Sequence, residues 1–233
     1  MAEFFITFYF GCVIGSFLHV VATDLPINKN LFSRRSKCPS CNHVLSIIEL
    51  FPLISYIIQH RRCRHCKTRI SSLYFLSEFI TGFCFVFPLF LSGTPVKYLV
   101  GFYLLITLVI LISITDLKYG LIPNKILLFY FFLFLFISRT ILQMIIIFLI
   151  LLFLAEITSR ISNKTTIGGG DIKLLTLLAL FLPVQNFVLI LFISSLSAII
   201  YVLITQKKRI KFGPFIGFAA LISYYLYLYT SFS

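Results

Sequence analysis

Two aspartates and four cysteines carry the chemistry this sequence offers. Asp116 stands in Thr115-Asp116-Leu117-Lys118-Tyr119-Gly120-Leu121-Ile122-Pro123-Asn124, and Asp171 in Gly168-Gly169-Gly170-Asp171-Ile172-Lys173-Leu174. A carboxylate within or beside a membrane helix is costly enough to be a functional candidate by default. The two are 55 positions apart, room for one helix out and one helix back. Both then return to the same face at similar depth. Such a pair makes a carboxylate dyad, in which both acids cannot ionise together. One keeps a proton, and the other takes a proton from an attacking water. A helix starting near Asp171 favours charge there, and a helix ending near Asp116 disfavours it. Asp171 is therefore expected as the charged member, although a coupled pair titrates as a unit. The glycines Gly168, Gly169 and Gly170 allow close backbone approach and positive φ angles, so an extended substrate segment has a backbone to lie against. A plainer reading stays open: Asp171 as an N-cap after a Gly-rich loop, Asp116 as a solvated turn residue.

The cysteines form Cys38-Pro-Ser-Cys41 and Cys63-Arg-His-Cys66. Each C-x-x-C turn presents two thiolates to one side of a metal, and two such turns complete a tetrahedral structural zinc site with no open position for water. Two disulfides are the competing reading, and a cytoplasmic loop disfavours them because thiols stay reduced there. His43 and His65 flank the pairs as alternative ligands. Cys12 and Cys84 sit singly in apolar stretches as small hydrophobic residues.

These groups need elements to hold them, and the composition says what kind. Of 233 residues, 60% are hydrophobic and only 12% charged, with 20 Lys+Arg against 7 Asp+Glu and a net charge of +13. A soluble domain of this length carries about twice that share of charge, so the composition indicates a polytopic membrane protein and excludes an ordinary soluble enzyme. Runs long enough to approach a bilayer span are Phe4–Ala22, Ser72–Ser92, Tyr98–Thr115, Leu121–Ser138, Ile141–Thr158, a short Ile172–Pro183, Phe187–Thr205 and Pro214–Thr230. With eight crossings and both termini outside, 18 of the 20 basic residues fall in inner loops, as the positive-inside rule requires. If the short sixth segment Ile172–Pro183 does not cross, the bias weakens. The charge thus reads as orientation, and no nucleic-acid partner is expected. The expected fold is an all-α transmembrane bundle of about eight spans. It comprises a first helix (1–22), a cytoplasmic loop with the four-Cys zinc site (23–71) and a helical bundle bearing the aspartates (72–233). Within the loop, the apolar Ser46–Ile58 either lies on the membrane surface and helix ends or forms a small core of its own. Glu78 and Glu156 are read as packing or hydrogen-bonding groups. Gly11-x-x-x-Gly15 is a helix-packing spacing within or between chains.

In order along the chain, several motifs resemble those of the type IV prepilin peptidases, membrane aspartic proteases of bacteria. They are Gly15-Ser16-Phe17-Leu18 with Leu25-Pro26, the two Cys pairs enclosing Glu49-Leu-Phe-Pro52 and Ser55-Tyr56, Ile70-Ser71, the two aspartate motifs, and Phe212-Gly213-Pro214-Phe215. The resemblance implies cleavage of the short leader of prepilins or pseudopilins at the cytoplasmic face of the inner membrane. Asp116 and Asp171 would be the catalytic pair, supported by Gly168, Gly169, Gly170 and Lys173. It also implies N-methylation of the new terminus with S-adenosylmethionine, linked to the loop whose Cys38, Cys41, Cys63 and Cys66 would hold zinc. The chain departs from the family where His19 replaces an Asn and Thr23-Asp24 a Tyr-Arg. A presenilin-like protease is the nearest alternative, since Gly168–Asp171 also reads G-x-G-D, but no Tyr-Asp or Pro-Ala-Leu sequence accompanies it. A transporter that binds a cation at the aspartates is the alternative from another class.

Overall fold

A computed structural model describes residues 1–27, 35–91, 93–137, 141–162, 168–207 and 210–232. Lys29, Arg34, Arg139, Lys164, Lys208 and Arg209, which entered the charge argument, lie outside the described residues. Among those described the chain is helical: α1 (Ala2–Asp24), α2 (Ile54–Ile58), α3 (Ser72–Val86), α4 (Val96–Tyr119), α5 (Asn124–Ile137), α6 (Ile141–Ser162), α7 (Gly169–Phe181), α8 (Val184–Thr205) and α9 (Gly213–Phe232). Extended structure is limited there to two isolated antiparallel bridges, Lys37 with Val44 and Arg62 with Arg69.

Six helical stretches are long and apolar enough to cross a bilayer, in the regions of α1, α3, α4, α6, α8 and α9. The other two expected spans are shorter. Pro123 precedes α5, which holds 14 residues, and α7 holds 13 between Gly168 and the Leu182-Pro183 break. At 1.5 Å per residue each covers only about 20 Å of a hydrocarbon core near 30 Å.

By contacts the chain divides into Met1–Phe90 and Leu91–Ser233. Within the first unit α3 packs on α1. Lipid is as apolar as a leucine side chain, so membrane helices associate through close packing of small residues and polar bonds. In the first unit a Cβ on Gly11 would lie 2.8 Å from the Gly82 Cα, and one on Gly15 would lie 2.8 Å from Thr81 Oγ1. The Gly11-x-x-x-Gly15 spacing therefore works within the chain. Polar links reinforce the contact: His19 Nδ1 lies 2.9 Å from Ser77 Oγ, and its ring stacks on Tyr74 at 3.9 Å. The His19 departure is thus an interior polar link between α1 and α3.

The second unit is built around α4. Most of α4 is buried and little of α6 is, so α4 is interior and α6 mostly peripheral. Bonds between helices pin the bundle. Tyr130 donates to Thr107 Oγ1 at 2.7 Å, Asn186 Nδ2 to the Ser223 carbonyl at 2.8 Å, and Gln143 Nε2 to the Leu182 carbonyl at 2.8 Å. Each such bond contributes roughly 0.6 kcal/mol in a membrane.

Candidate active site and metal centre

Asp116 lies in the last turn of α4. The helix stops because Gly120 takes the left-handed conformation at φ 67°, which costs a glycine nothing, and its N–H bonds back to the Asp116 carbonyl at 2.8 Å. The carboxylate is buried, not the solvated turn group of the plainer reading. Its Oδ2 accepts the Gly213 N–H at 3.0 Å. Gly213 is the first residue of α9, and its N–H is one of the first-turn donors a helix cannot satisfy internally. A Cβ at Gly213 would fall 2.9 Å from Asp116 Oδ2 and 3.3 Å from Ile112, so glycine is required for this approach. Lys211, two residues earlier, donates to the Leu117 carbonyl at 2.6 Å and sits close enough for its charge to act on Asp116.

Asp171 is the third residue of α7. The N-cap is Gly168, at φ −66° and ψ 132°, so the N-cap reading of Asp171 is corrected by three positions. The glycine run also works differently from expectation. Among the described residues only Gly93 and Gly120 are glycines with positive φ; the run contributes by lacking side chains. A Cβ at Gly168 would lie 2.9 Å from Asp171 Oδ2, and one at Gly170 would lie 3.2 Å from Ile122. Gly169 has open space where its side chain would be. Lys173 Nζ donates to Asn124 Oδ1 at 3.0 Å, tying α7 to the start of α5.

The packing of α4 with α5 and α9, and of α7 with α5 and α9, brings the two aspartates to the same end of this unit, close enough to interact electrostatically. A helix N-terminus lies at each carboxylate: Asp171 stands in the first turn of α7, and Asp116 accepts the first N–H of α9. In Phe212-Gly213-Pro214-Phe215 the sequence motif alone gives Gly213 no role. The available signal was a glycine directly before a proline at a helix start, where a bare backbone N–H can be presented.

In the first unit, the four Sγ atoms of Cys38, Cys41, Cys63 and Cys66 lie within 4.8 Å of one another. The Cys38 and Cys66 sulfurs are 3.8 Å apart, close to the roughly 3.8 Å edge of a tetrahedron with 2.3 Å metal–sulfur bonds. All four thiols are free of disulfides. Two matching turns build the cluster. Asn42 N–H bonds to the Cys38 carbonyl at 2.9 Å and Lys67 N–H to the Cys63 carbonyl at 3.0 Å, with Asn42 at φ 58° and Lys67 at φ 59°. Thr68, through its hydroxyl and backbone N–H, holds the Cys66 thiol down at about 6. Against the His43 N–H, which favours the thiolate, burial and the neighbouring sulfurs push Cys41 up to about 12. Thiolates this crowded ionise together only around a cation, so the donor set fits a metal. His43 and His65 stack on each other at 5.1 Å and are not among the clustered ligands.

Two carboxylates hold the segment between the Cys pairs. Glu49 Oε2 accepts the Ser46 N–H at 2.8 Å and its hydroxyl at 2.9 Å, a capping box. These bonds, led by the Ser46 N–H, hold the Glu49 carboxyl below its usual range. Glu78, buried in α3, accepts the Leu53 N–H at 2.8 Å and a bond from Ser16, joining the loop to both helices. Glu156 pairs with Arg160 at 2.8 Å on the exposed side of α6.

Residues 9–91 match the Bacterial Peptidase A24 N-terminal domain, and residues 103–203 match the Type IV leader peptidase family. A Bacillus subtilis protein named prepilin leader peptidase/N-methyltransferase is 31% identical over 94% of this chain and 92% of its own length. A Vibrio cholerae protein of the same name is 33% identical over 81% of each chain, and one from Aeromonas salmonicida is 29% identical over 94% of this chain and 89% of its own. No solved structure gives a significant match. With both units covered and the aspartate motifs inside the second match, the chain belongs to the type IV leader peptidase family.

Proposed function

We propose that this protein is a membrane aspartic endopeptidase that removes the leader peptide of type IV prepilins or pseudopilins, with Asp116 and Asp171 as the catalytic pair. The observation that carries the reading is the convergence of two carboxylates from the ends of α4 and α7, one held by the N–H of Gly213. The pair shares one proton. The ionised carboxylate takes a proton from water as its oxygen adds to the scissile carbonyl carbon, and the protonated one donates to the carbonyl oxygen. Collapse of the tetrahedral intermediate breaks the C–N bond as the leaving nitrogen is protonated. Gly168, Gly169 and Gly170 offer an uncluttered backbone for the extended cleavage segment. Lys173, set by Asn124, stands beside it as a support residue. The substrate's apolar helix lying in the bilayer would present its leader to this end of the bundle, a proximity effect.

The inner-loop excess of basic residues supports placement in the cytoplasmic membrane with the dyad on the cytoplasmic side and both termini outside. The loop 23–71 is then a cytoplasmic module between the first helix (1–22) and the helices from 72 onward. Zinc is the metal its four cysteines suit, in a closed structural role. Its relatives' names add an N-methyltransferase; methylation of the new N-terminus with S-adenosylmethionine is assigned to the same protein, with the loop as its seat.

Co-expression of a prepilin with wild type, Asp116→Asn and Asp171→Asn, followed by N-terminal sequencing and mass measurement of the product, tests both halves. Neither Asn variant should cleave, and the wild-type product should carry one added methyl group. Wild-type cleavage by either variant would remove the dyad assignment.

A further inference from the structure

We propose that the loop of the first unit carries a binding site for the phosphate of an anionic phospholipid headgroup, formed by Arg61, Arg62 and Arg69 beside Ser72. This goes beyond the peptidase reading and does not depend on the aspartates.

The bridge between Arg62 and Arg69 sets two arginines directly opposite each other on paired backbone. Like charges across such a pair are destabilising. Arg61 joins them through its carbonyl, which accepts the Ile70 N–H at 2.8 Å. His60 and Arg61 occupy left-handed conformations, at φ 49° and 62°, which turn the chain sharply there. Together with Tyr56 and Ser72 these residues line an open groove of about 390 Å³. A second groove of about 290 Å³ shares His60 and Arg62 and adds Arg64 and Lys67. Arg160, by contrast, is paired with Glu156 at 2.8 Å on α6. Arg64 of the second groove lies within electrostatic reach of Glu49. The lining of the first groove, however, brings Arg61, Arg62 and Arg69 together with no carboxylate among them. Such a concave set of cations calls for an anion from outside the chain.

Position selects which anion. Ser72, on the groove wall, is also the first residue of the apolar helix α3, so the groove opens where that helix enters the bilayer. Next to it, Ile54, Ile57 and Ile58 of α2 are 49%, 63% and 53% exposed, and Ile47 and Ile48 are 78% and 59% exposed. Ser46–Ile58 therefore supplies no closed core for the loop. Its isoleucines enter the acyl region while the arginines meet the headgroups, the arrangement of an interfacial segment. Guanidinium forks match phosphate oxygens bidentately.

The test uses the full chain carrying Asp116→Asn, so that catalysis plays no part. Native mass spectrometry in detergent compares phosphatidylglycerol with phosphatidylcholine of the same acyl chains. Phosphatidylglycerol should bind preferentially. Arg61→Gln, Arg62→Gln and Arg69→Gln should each lower that preference by roughly fivefold, since a basic residue near an anionic surface contributes about 1 kcal/mol. Arg160→Gln, which removes a cation already paired with Glu156 on α6, should leave it unchanged. Wild-type preference in all three single variants, or an equal loss with Arg160→Gln, would overturn the site. Displacement of the lipid by inorganic phosphate at equal concentration would mark a free-anion site and also overturn the lipid assignment.

Discussion

The four-cysteine loop and the aspartate pair are assembled by opposite means. In the loop, each half of the cluster comes from four consecutive residues and is shaped by bonds only four positions long, such as Asn42 N–H to the Cys38 carbonyl. The second half repeats the first down to the left-handed residue after the last cysteine. The aspartates have no such local frame. Asp116 is held by a donor 97 positions away, and it nears Asp171 only because α5 and α9 pack against both α4 and α7. A metal knuckle can thus be specified almost wholly by local turns, whereas a membrane dyad depends on how helix ends are brought together.

The sharpest way to break this comparison is to neutralise one aspartate at a time. Asp116→Asn or Asp171→Asn should lower leader cleavage by roughly 10²- to 10⁴-fold, the usual contribution of general acid–base groups, while bound metal stays at the wild-type level. Cleavage assays paired with metal analysis read both. Next comes the long-range donor. Gly213→Ala pushes a methyl group to 2.9 Å from Asp116 Oδ2 and should lower kcat by about ten- to a hundredfold. Gly169→Ala, facing open space, should leave thermal stability within about 0.5 kcal/mol. Equal kcat losses in the two glycine variants would undo the special place of Gly213.

On the other side of the comparison, Cys38→Ser or Cys63→Ser should abolish stoichiometric metal and make the remaining thiols freely alkylated, yet reduce cleavage far less than either aspartate variant. Smallest is the loop cap. Glu49→Gln should destabilise the loop by about 0.5–1 kcal/mol at neutral pH. Because the folded carboxyl is held below its unfolded value of 4.5, that stabilisation is present above pH 4.5 and disappears as pH falls through the folded value. Wild type and Glu49→Gln should therefore converge in acid, which hydrogen exchange of the loop amides, compared between the two at each pH, would measure.

Legibility in the sequence follows the same divide. The Cys pairs, the apolar helices and the membrane class were readable because each depends on composition or on neighbours a few residues apart. The eight apolar stretches were readable too, and so was the shortness of the one that became α7, but not the short described span of α5, since Pro123 acts on a helix start that apolarity alone does not mark. The N-cap reading of Asp171 failed because a glycine three positions earlier filled that place. Glu78 was recognised as a hydrogen-bonding group, while its partners, the Leu53 N–H and Ser16, come from two separate segments.

By itself the sequence determined the membrane class, the excess and clustering of basic charge, the paired C-x-x-C turns and the positions of the two aspartates. Hydropathy, charge placement and turn chemistry are local properties of the chain, and they act before any helix meets another. Only the tertiary structure decided that the Gly11-x-x-x-Gly15 face packs on α3 within one chain. Likewise, it alone put Arg62 opposite Arg69 and aimed the first N–H of α9 at Asp116. In a bilayer apolar burial no longer chooses partners, so these pairings follow from close fit and polar bonds between distant helices.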